Sequence, residues 1–466
     1  LQCYVRYDII SSTLKIALTL GPKRPYCGVD YPGRMRKTSV FFLGQGGIES
    51  LFFKVKTSEE VLNIIDGFGP VGEENIPLVE GLGRTLSRDI PSPHDLPGFR
   101  RSSMDGYAVR ARDTFGASES LPAFLELTGE VLMGQVPKVT VSPGKAVKIS
   151  TGGMVPDGAD STVMLEYCNV LDKTTIEVAR AVSPLENIIQ PDDDFKRGAV
   201  VLDRGSVLRP QDLGVLAGLG ITVVPVYRRP RVAIVSTGDE VVPIEQEPKL
   251  GQVRDINSYT LSAFCRQAGA EAHIMGLCGD DFDQLKGMVE EGLDRADTVW
   301  ISGGSSVGTR DLTLKVFESL KDMELLVHGI SISPGKPTII ARTGSRAIFG
   351  LPGHTASAMV VAEVFLVPFL SRLSGDVHLQ DRLHRYMQAE LSRNIESSSG
   401  RDDYVRVTLR KKGDEWLAEP IFGKSGLIST LVQADGLVRI DRNTEGLYQG
   451  QKVEVMVFTL MKGERL

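Results

Sequence analysis

Between residues 229 and 374 the apolar positions follow two alternating patterns. In "RVAIVS" (231–236), "EAHIMGLC" (271–278), "DTVWIS" (297–302), "KPTIIAR" (336–342) and "RAIFGL" (346–351) they crowd into short runs. Such runs, rich in β-branched and aromatic residues, predict buried strands. In "NSYTLSAFCRQAG" (257–269), "DFDQLKGMVEEGLDRA" (281–296) and "DLTLKVFESLK" (311–321) they recur at helical spacing, with Asn257 in place to cap the first helix. "TASAMVVAEVFLVPFLSRL" (355–373) predicts an apolar helix. Strands alternating with helices imply a three-layer α/β domain with a mostly parallel sheet covered on both faces.

The flanking patterns differ. "TSEEVLNIIDGF" (57–68) pairs Thr57 with Glu60 as a capping box and predicts a helix. Across 91–186, short alternating strands ("FLELTGEVL", "AVKIS", "STVMLEY", "TIEVARAV") separated by turn residues predict a small β module. "GAVVLDRGSVLRPQDLGVLAGLG" (198–220) returns to strand and helix. The β module is therefore inserted into a discontinuous connecting domain made of 54–90 and 187–228. After 375 the alternation of "YVRVTLR", "WLAEPI", "GLVRI" and "KVEVMVF" predicts a C-terminal β-barrel-like domain over 375–466. The fold class is multidomain, α/β plus β. Residues 1–53 show neither periodicity nor a signal-peptide layout. They read as a poorly ordered extension, or as sequence translated upstream of the true start.

Composition narrows the function. The chain has 466 residues, too many for one compact core, and a net charge of -6, which argues against a general nucleic-acid binder. The basic runs "RRPR" (228–231) and "RLHR" (382–385) are short enough to be solvated element ends. Cys3, Cys27, Cys168, Cys265 and Cys278 are scattered without a CxxC pair, so neither a zinc site nor a disulfide framework is indicated, as suits the cytoplasm. No apolar run approaches the roughly 20 residues that span a bilayer. "GFGPVG" (67–72) matches a dinucleotide-binding spacing, but a helix precedes it and Pro70 interrupts it, so that reading is rejected.

The candidate chemistry lies in turns that follow predicted strands: "STGDE" (236–240), "CGDD" (278–281), "SGGSSVGTRD" (302–311) and "FGLPGHTAS" (349–357). In an open parallel sheet such turns share the edge where ligands bind. Ser302, Gly303, Gly304, Ser305 and Ser306 offer amides and hydroxyls with close backbone approach, a setting for a phosphate. Thr237 and Gly238 add to that lining. Asp239, Glu240, Asp280, Asp281 and Asp311 would repel an anion unless a divalent cation lay between, and Mg2+ is the natural candidate. Lys336 in "SPGKP" supplies a cation. Plainer readings stand beside these: "DD" as a helix cap, Lys336 at a bend, His354 as the cap of the helix it precedes. No Walker A sequence is present, and the histidines do not cluster as metal ligands.

In their order along the chain, "SSMDGYAVR" (102–110), "STGG" with "VP" and "GAD" (150–160), "STGDE", "SGGSSVG", "SPGKP" and "GLPG" resemble the molybdopterin molybdenumtransferases, the MoeA family that includes the gephyrin E domain. The resemblance covers residues 54 to 466. It implies a cytoplasmic homodimer that takes adenylylated molybdopterin and molybdate, inserts the metal at the dithiolene and, with Mg2+, releases AMP as the adenylate is hydrolysed. A molybdopterin adenylyltransferase and recipient molybdoenzymes are the implied partners; nucleic acid and membrane are not.

Carried over by motif, the resemblance makes Asp105, Thr151, Asp194, Glu240, Asp280, Asp311 and Lys336 the catalytic set, with Glu240, Asp280 and Asp311 as the Mg2+ ligands. Asp105 and Thr151 would reach from the inserted module of one subunit to the α/β domain of the other. Gly335, Pro352, Gly353, His354 and Ser357 join the substrate-binding residues, Ser357 at a position tied to oxyanion handling. The family commonly has Asn-Pro after "GLPG", where this chain has His354-Thr355. Many members have lysine before "PGKP", where this chain has Ser333. A non-catalytic molybdopterin-binding scaffold or carrier and a tungstate-specific paralogue are the alternatives.

Overall fold

The computed structural model describes residues 55–303 and 307–458; the expectation for 1–53 lies outside them. Its centre is a six-stranded sheet in the order 271–278, 231–237, 298–303, 346–351, 339–343, 323–328. The first four strands run parallel; 339–343 pairs antiparallel with both 346–351 and 323–328, so it alone runs against the others. Successive side chains point to opposite faces, so each strand feeds two cores. Val232, Ile234, Trp300 and Phe349 pack with the helices Ser58–Ile65, Asn257–Gln267 and Thr355–Val361. Ala233, Val235, Val299, Ile301 and Ile348 pack against Phe282–Arg295 and Val307–Glu318. Helices on both faces of one sheet make the three layers.

Several expectations need correction. The strand Met323–His328 escapes a reading of apolar runs because it is an edge strand with only Val327 buried. Its neighbour begins at Ile339, after the "SPGKP" turn. The helix expected from Asp311 starts at Val307, which puts Asp311 in its second turn. Asn257 lies inside its helix; Asp255 caps it instead, accepting from the Ser258 amide at 3.0 Å. The helix Thr355–Ser374, counted through a π turn at Ala362–Leu366, is 20 residues long and apolar enough to cross a membrane. Glu363 and Pro368 interrupt the apolar run but not the helix. Phe365, Leu366, Phe369 and Leu370 are fully buried, and Phe369 meets Phe349 at 4.8 Å, so it is a core helix.

Strands at 73–77 and 223–227 pair antiparallel, and between them in sequence lies a separate six-stranded sheet spanning 106–178. Beyond 384, five strands close on themselves: 402–412, 415–420, 384–391, 452–458 and 436–440, the last pairing back with the first. This C-terminal barrel is joined to the α/β domain by hydrogen bonding, because Ile332–Ser333 adds in parallel to its 402–412 strand. The "SPGKP" turn is thus held between two domains.

Candidate functional site

Thr237, Cys278 and Gly303 lie in register, as do Ser302 and Leu351, so the turns that follow these parallel strands meet at one sheet edge. Close packing there requires Gly303: a Cβ at that position would fall 2.2 Å from the Thr237 carbonyl oxygen. The Asp239 carboxylate accepts from the Asp280 amide at 3.0 Å, binding the "STGDE" and "CGDD" turns together, and both residues are exposed. Asp281 caps the helix 282–295 through the Gln284 amide at 2.7 Å, the plainer of its two readings.

Over this edge opens a cavity of about 290 Å3 lined by Ser236, Thr237, Glu240, Asp255, Asn257 and Ser302, with Gly353 and His354 at its far side. Its floor is a hydroxyl–carboxylate network. Ser236 Oγ donates to Asp255 at 3.0 Å, and Asn257 Nδ2 donates to Ser302 Oγ at 2.7 Å and to the Gly353 carbonyl at 2.8 Å. Asp255 and Asn257 do not stand out in sequence. The only signal is their place at the start of a helix that faces the sheet edge.

A second cavity of about 510 Å3 adjoins the first through Gly353 and His354, between the α/β domain and the barrel. Ser333, Gly335, Lys336, Pro352 and Ser357 line one wall; Arg401, Asp403, Arg406 and Ser425 line the other. Gly335 has φ +119°, and a Cβ there would meet Ile332 at 2.6 Å, so glycine is needed to seat the turn. Arg401 pairs with Asp403 at 2.8 Å. Arg406 has no carboxylate partner among the described residues. Only 8% exposed, it donates to Thr430 Oγ1 at 2.9 Å and to the Gly423 carbonyl at 3.1 Å, while its Nε has no acceptor. Burial lowers its pKa from the usual arginine value, yet a guanidinium stays charged in a protein. Lys336, on the opposite wall, is exposed and makes no ion pair among the described residues. A buried cation without a counter-ion, facing a second free one, favours an anion between them.

Other expected residues fall elsewhere. Asp105 and Thr151 meet each other: the Thr151 amide donates to Asp105 at 2.8 Å on an exposed tip of the inserted module. Neither lines the two cavities. Asp194 is exposed in the connecting segment, its amide bonded to the Leu96 carbonyl at 3.0 Å. Asp280 and Asp311 are exposed near the sheet edge without lining either cavity. Gly304, Ser305 and Ser306 lie outside the described residues. Cys278, at the same edge, is 2% exposed; burial, with the Asp281 carboxylate adding, pushes its thiol up to about 11, so it is a packed neutral group.

No group of three or more His, Cys, Asp or Glu side chains among the described residues is arranged to hold a metal. Glu240, Asp280 and Asp311 therefore do not form a ready protein cage. Their oxygen-only chemistry still suits magnesium, which takes one or two carboxylates and completes its shell with substrate phosphates and water.

Residues 56–220 match the MoeA N-terminal region (domains I and II), 233–372 match a "Probable molybdopterin binding domain", and 388–458 match the MoeA C-terminal region (domain IV). A Methanocaldococcus jannaschii protein provisionally assigned to molybdopterin biosynthesis is 35% identical over 392 residues, 82% of this chain and 91% of that protein. A molybdopterin molybdenumtransferase of Haemophilus influenzae is 31% identical over 396 residues, 84% of this chain and 96% of that protein. Two crystal structures of MoeA proteins from Pyrococcus horikoshii superpose with TM-scores of 0.76 and 0.71, at 37% and 30% identity. Each covers 87% of this chain, and 99% and 100% of theirs.

Proposed function

The chain belongs to the MoeA family of molybdopterin molybdenumtransferases, transferases that insert molybdenum in cofactor biosynthesis, and from that premise we propose that its two adjoining cavities divide the substrates between them. The acid- and hydroxyl-lined cavity at the strand ends takes the phosphate end of adenylylated molybdopterin. The cation-lined cavity takes molybdate. The observation that carries this reading is Arg406, a buried guanidinium without a carboxylate partner among the described residues, lining the same cavity as Lys336.

In the reaction, two molybdenum–sulfur bonds form at the dithiolene, and one oxygen leaves molybdate as water with the two thiol protons. The phosphoanhydride is cleaved by water and AMP departs. Lys336, Arg401 and Arg406 offset the dianion's charge, and the Ser357 hydroxyl lines the same cavity. Thr237 and Ser302 line the phosphate-facing edge. Magnesium, held by Glu240 with Asp280 or Asp311 nearby, would supply charge neutralisation at the anhydride.

A homodimer brings Asp105 and Thr151 of one subunit toward the α/β domain of the other. Support comes from Met104 and Met133, large apolar side chains left exposed beside the Asp105–Thr151 pair. The insertion reading is tested by incubating purified protein with adenylylated molybdopterin, Mg2+ and molybdate, then measuring molybdenum in the pterin fraction and its ability to activate an apo-molybdoenzyme. The reading predicts molybdenum-loaded, activating pterin. Pterin that stays bound and metal-free assigns the chain to the scaffold or carrier role instead.

A further inference from the structure

His354 stands where the two cavities meet, and its side chain does not do what its position suggests. It is the N-cap residue of the helix starting at Thr355, yet it makes no capping hydrogen bond to that helix. Its Nδ1 pairs with Ser425 Oγ of the C-terminal domain at 2.9 Å. The helix receives its cap from the same residue across the cleft, because the Ala356 amide donates to the Ser425 carbonyl oxygen at 3.3 Å. Gly426 lies beside the imidazole: a Cβ there would come within 3.8 Å of His354 Cδ2. On the α/β side, Asn257 fixes the adjoining Gly353 carbonyl at 2.8 Å.

The segment that His354 grips lies in 421–428, an irregular loop of the C-terminal domain. The same loop provides the Gly423 carbonyl that accepts from Arg406 at 3.1 Å. The grip on Ser425 and the seating of Arg406 are therefore mechanically joined through one intervening residue, Lys424.

We propose that His354 is a positioning residue: clasped to Ser425, it latches the 421–428 loop onto the α/β domain and forms the wall between the acid-lined and cation-lined cavities. The latch fixes how the oxyanion and the adenylate end sit relative to one another. That last role rests on the assignment of the cavities to the two substrates made above; the latch itself does not.

Hydrogen exchange without substrates tests the latch on full-length protein. His354→Ala and Ser425→Ala each accelerate exchange at Ala356 and across 424–427 by about 3- to 10-fold, as the loss of one hydrogen bond implies. The double variant exchanges no faster than either single one, because both remove the same contact. His354→Asn, whose amide takes the place of Nδ1, restores protection. For positioning, the molybdate KM of His354→Ala rises by a larger factor than kcat falls. Unchanged exchange in both single variants overturns the latch. Faster exchange with an unchanged molybdate KM overturns the positioning role. Absence of AMP release by the wild type would overturn the cavity assignment, with the exchange data still deciding the latch.

Discussion

At Arg406 the cost of burying a charge is met, among the described residues, by two neutral acceptors, Thr430 Oγ1 and the Gly423 carbonyl. A dianionic ligand would complete it. Arg406→Ala is therefore expected to raise the molybdate KM by about 10- to 100-fold, the loss of a charge-assisted hydrogen bond. Initial rates against molybdate, with folding checked by circular dichroism, provide the measurement; an unchanged KM would place the oxyanion elsewhere. Cys278 gives an independent check on the sheet edge. With its thiol pushed up to about 11, iodoacetamide should leave it largely unlabelled at pH 7.5 and label it faster as pH rises, read by peptide mass. Rapid labelling at pH 7.5 would mean that the buried packing described for it is wrong. Lys336, Glu240 and Thr237 were legible in sequence because glycine-marked turns flag them. Arg406 was not: alternation within "YVRVTLR" reads it as an outward residue of a strand. Only the folding of 421–430 over the barrel buries it.

Among the elements, the parallel strands and their order of appearance follow from apolar runs, whereas boundaries set by tertiary contacts do not. Asn257 sits where a cap is expected but spends its amide on Ser302 and Gly353, contacts that no local pattern reveals. Two elements yield predictions. The helix Pro210–Gly218 is closed at its N-terminus by Asp212, which accepts from the Arg209 amide at 2.8 Å and pairs with its guanidinium at 2.9 Å. Hydrogen bonding from the Arg209 side chain holds the Asp212 carboxyl below the usual aspartate range, against the opposing effect of burial. A depressed folded pKa stabilises the fold above the unfolded value, and that contribution is lost as pH falls through the folded one. Asp212→Asn should cost about 1–2 kcal/mol at pH 7, with the difference from wild type narrowing below about pH 4. Urea unfolding at both pH values measures it, and a penalty that persists at low pH would contradict the assignment. Gly303→Ala should cost about 1–3 kcal/mol by forcing the Thr237 turn apart. A thermal melt indistinguishable from wild type would show that the edge tolerates the shift.

For the whole molecule, the site is built from segments far apart in sequence: strand ends of one domain, the "SPGKP" turn that adds to the barrel, and the barrel's own 421–428 loop. The ordered motifs made the family legible, but not the second cavity, whose far wall depends on how the barrel docks. In the proposed dimer, Asp105 and Lys336 serve one site from different subunits. Co-expressing Asp105→Ala with Lys336→Ala should then restore roughly a quarter of wild-type activity through mixed dimers carrying one intact site. Recovery no greater than the sum of the two variants would place both residues in the same subunit's site. The central claim is that this cleft couples molybdate to the breakdown of the adenylate. Its most direct test is AMP release from adenylylated molybdopterin by the wild-type chain with Mg2+, followed as molybdate is raised from zero. The account predicts release that climbs with molybdate and saturates; adenylate that stays intact at saturating molybdate, while still bound, would contradict it.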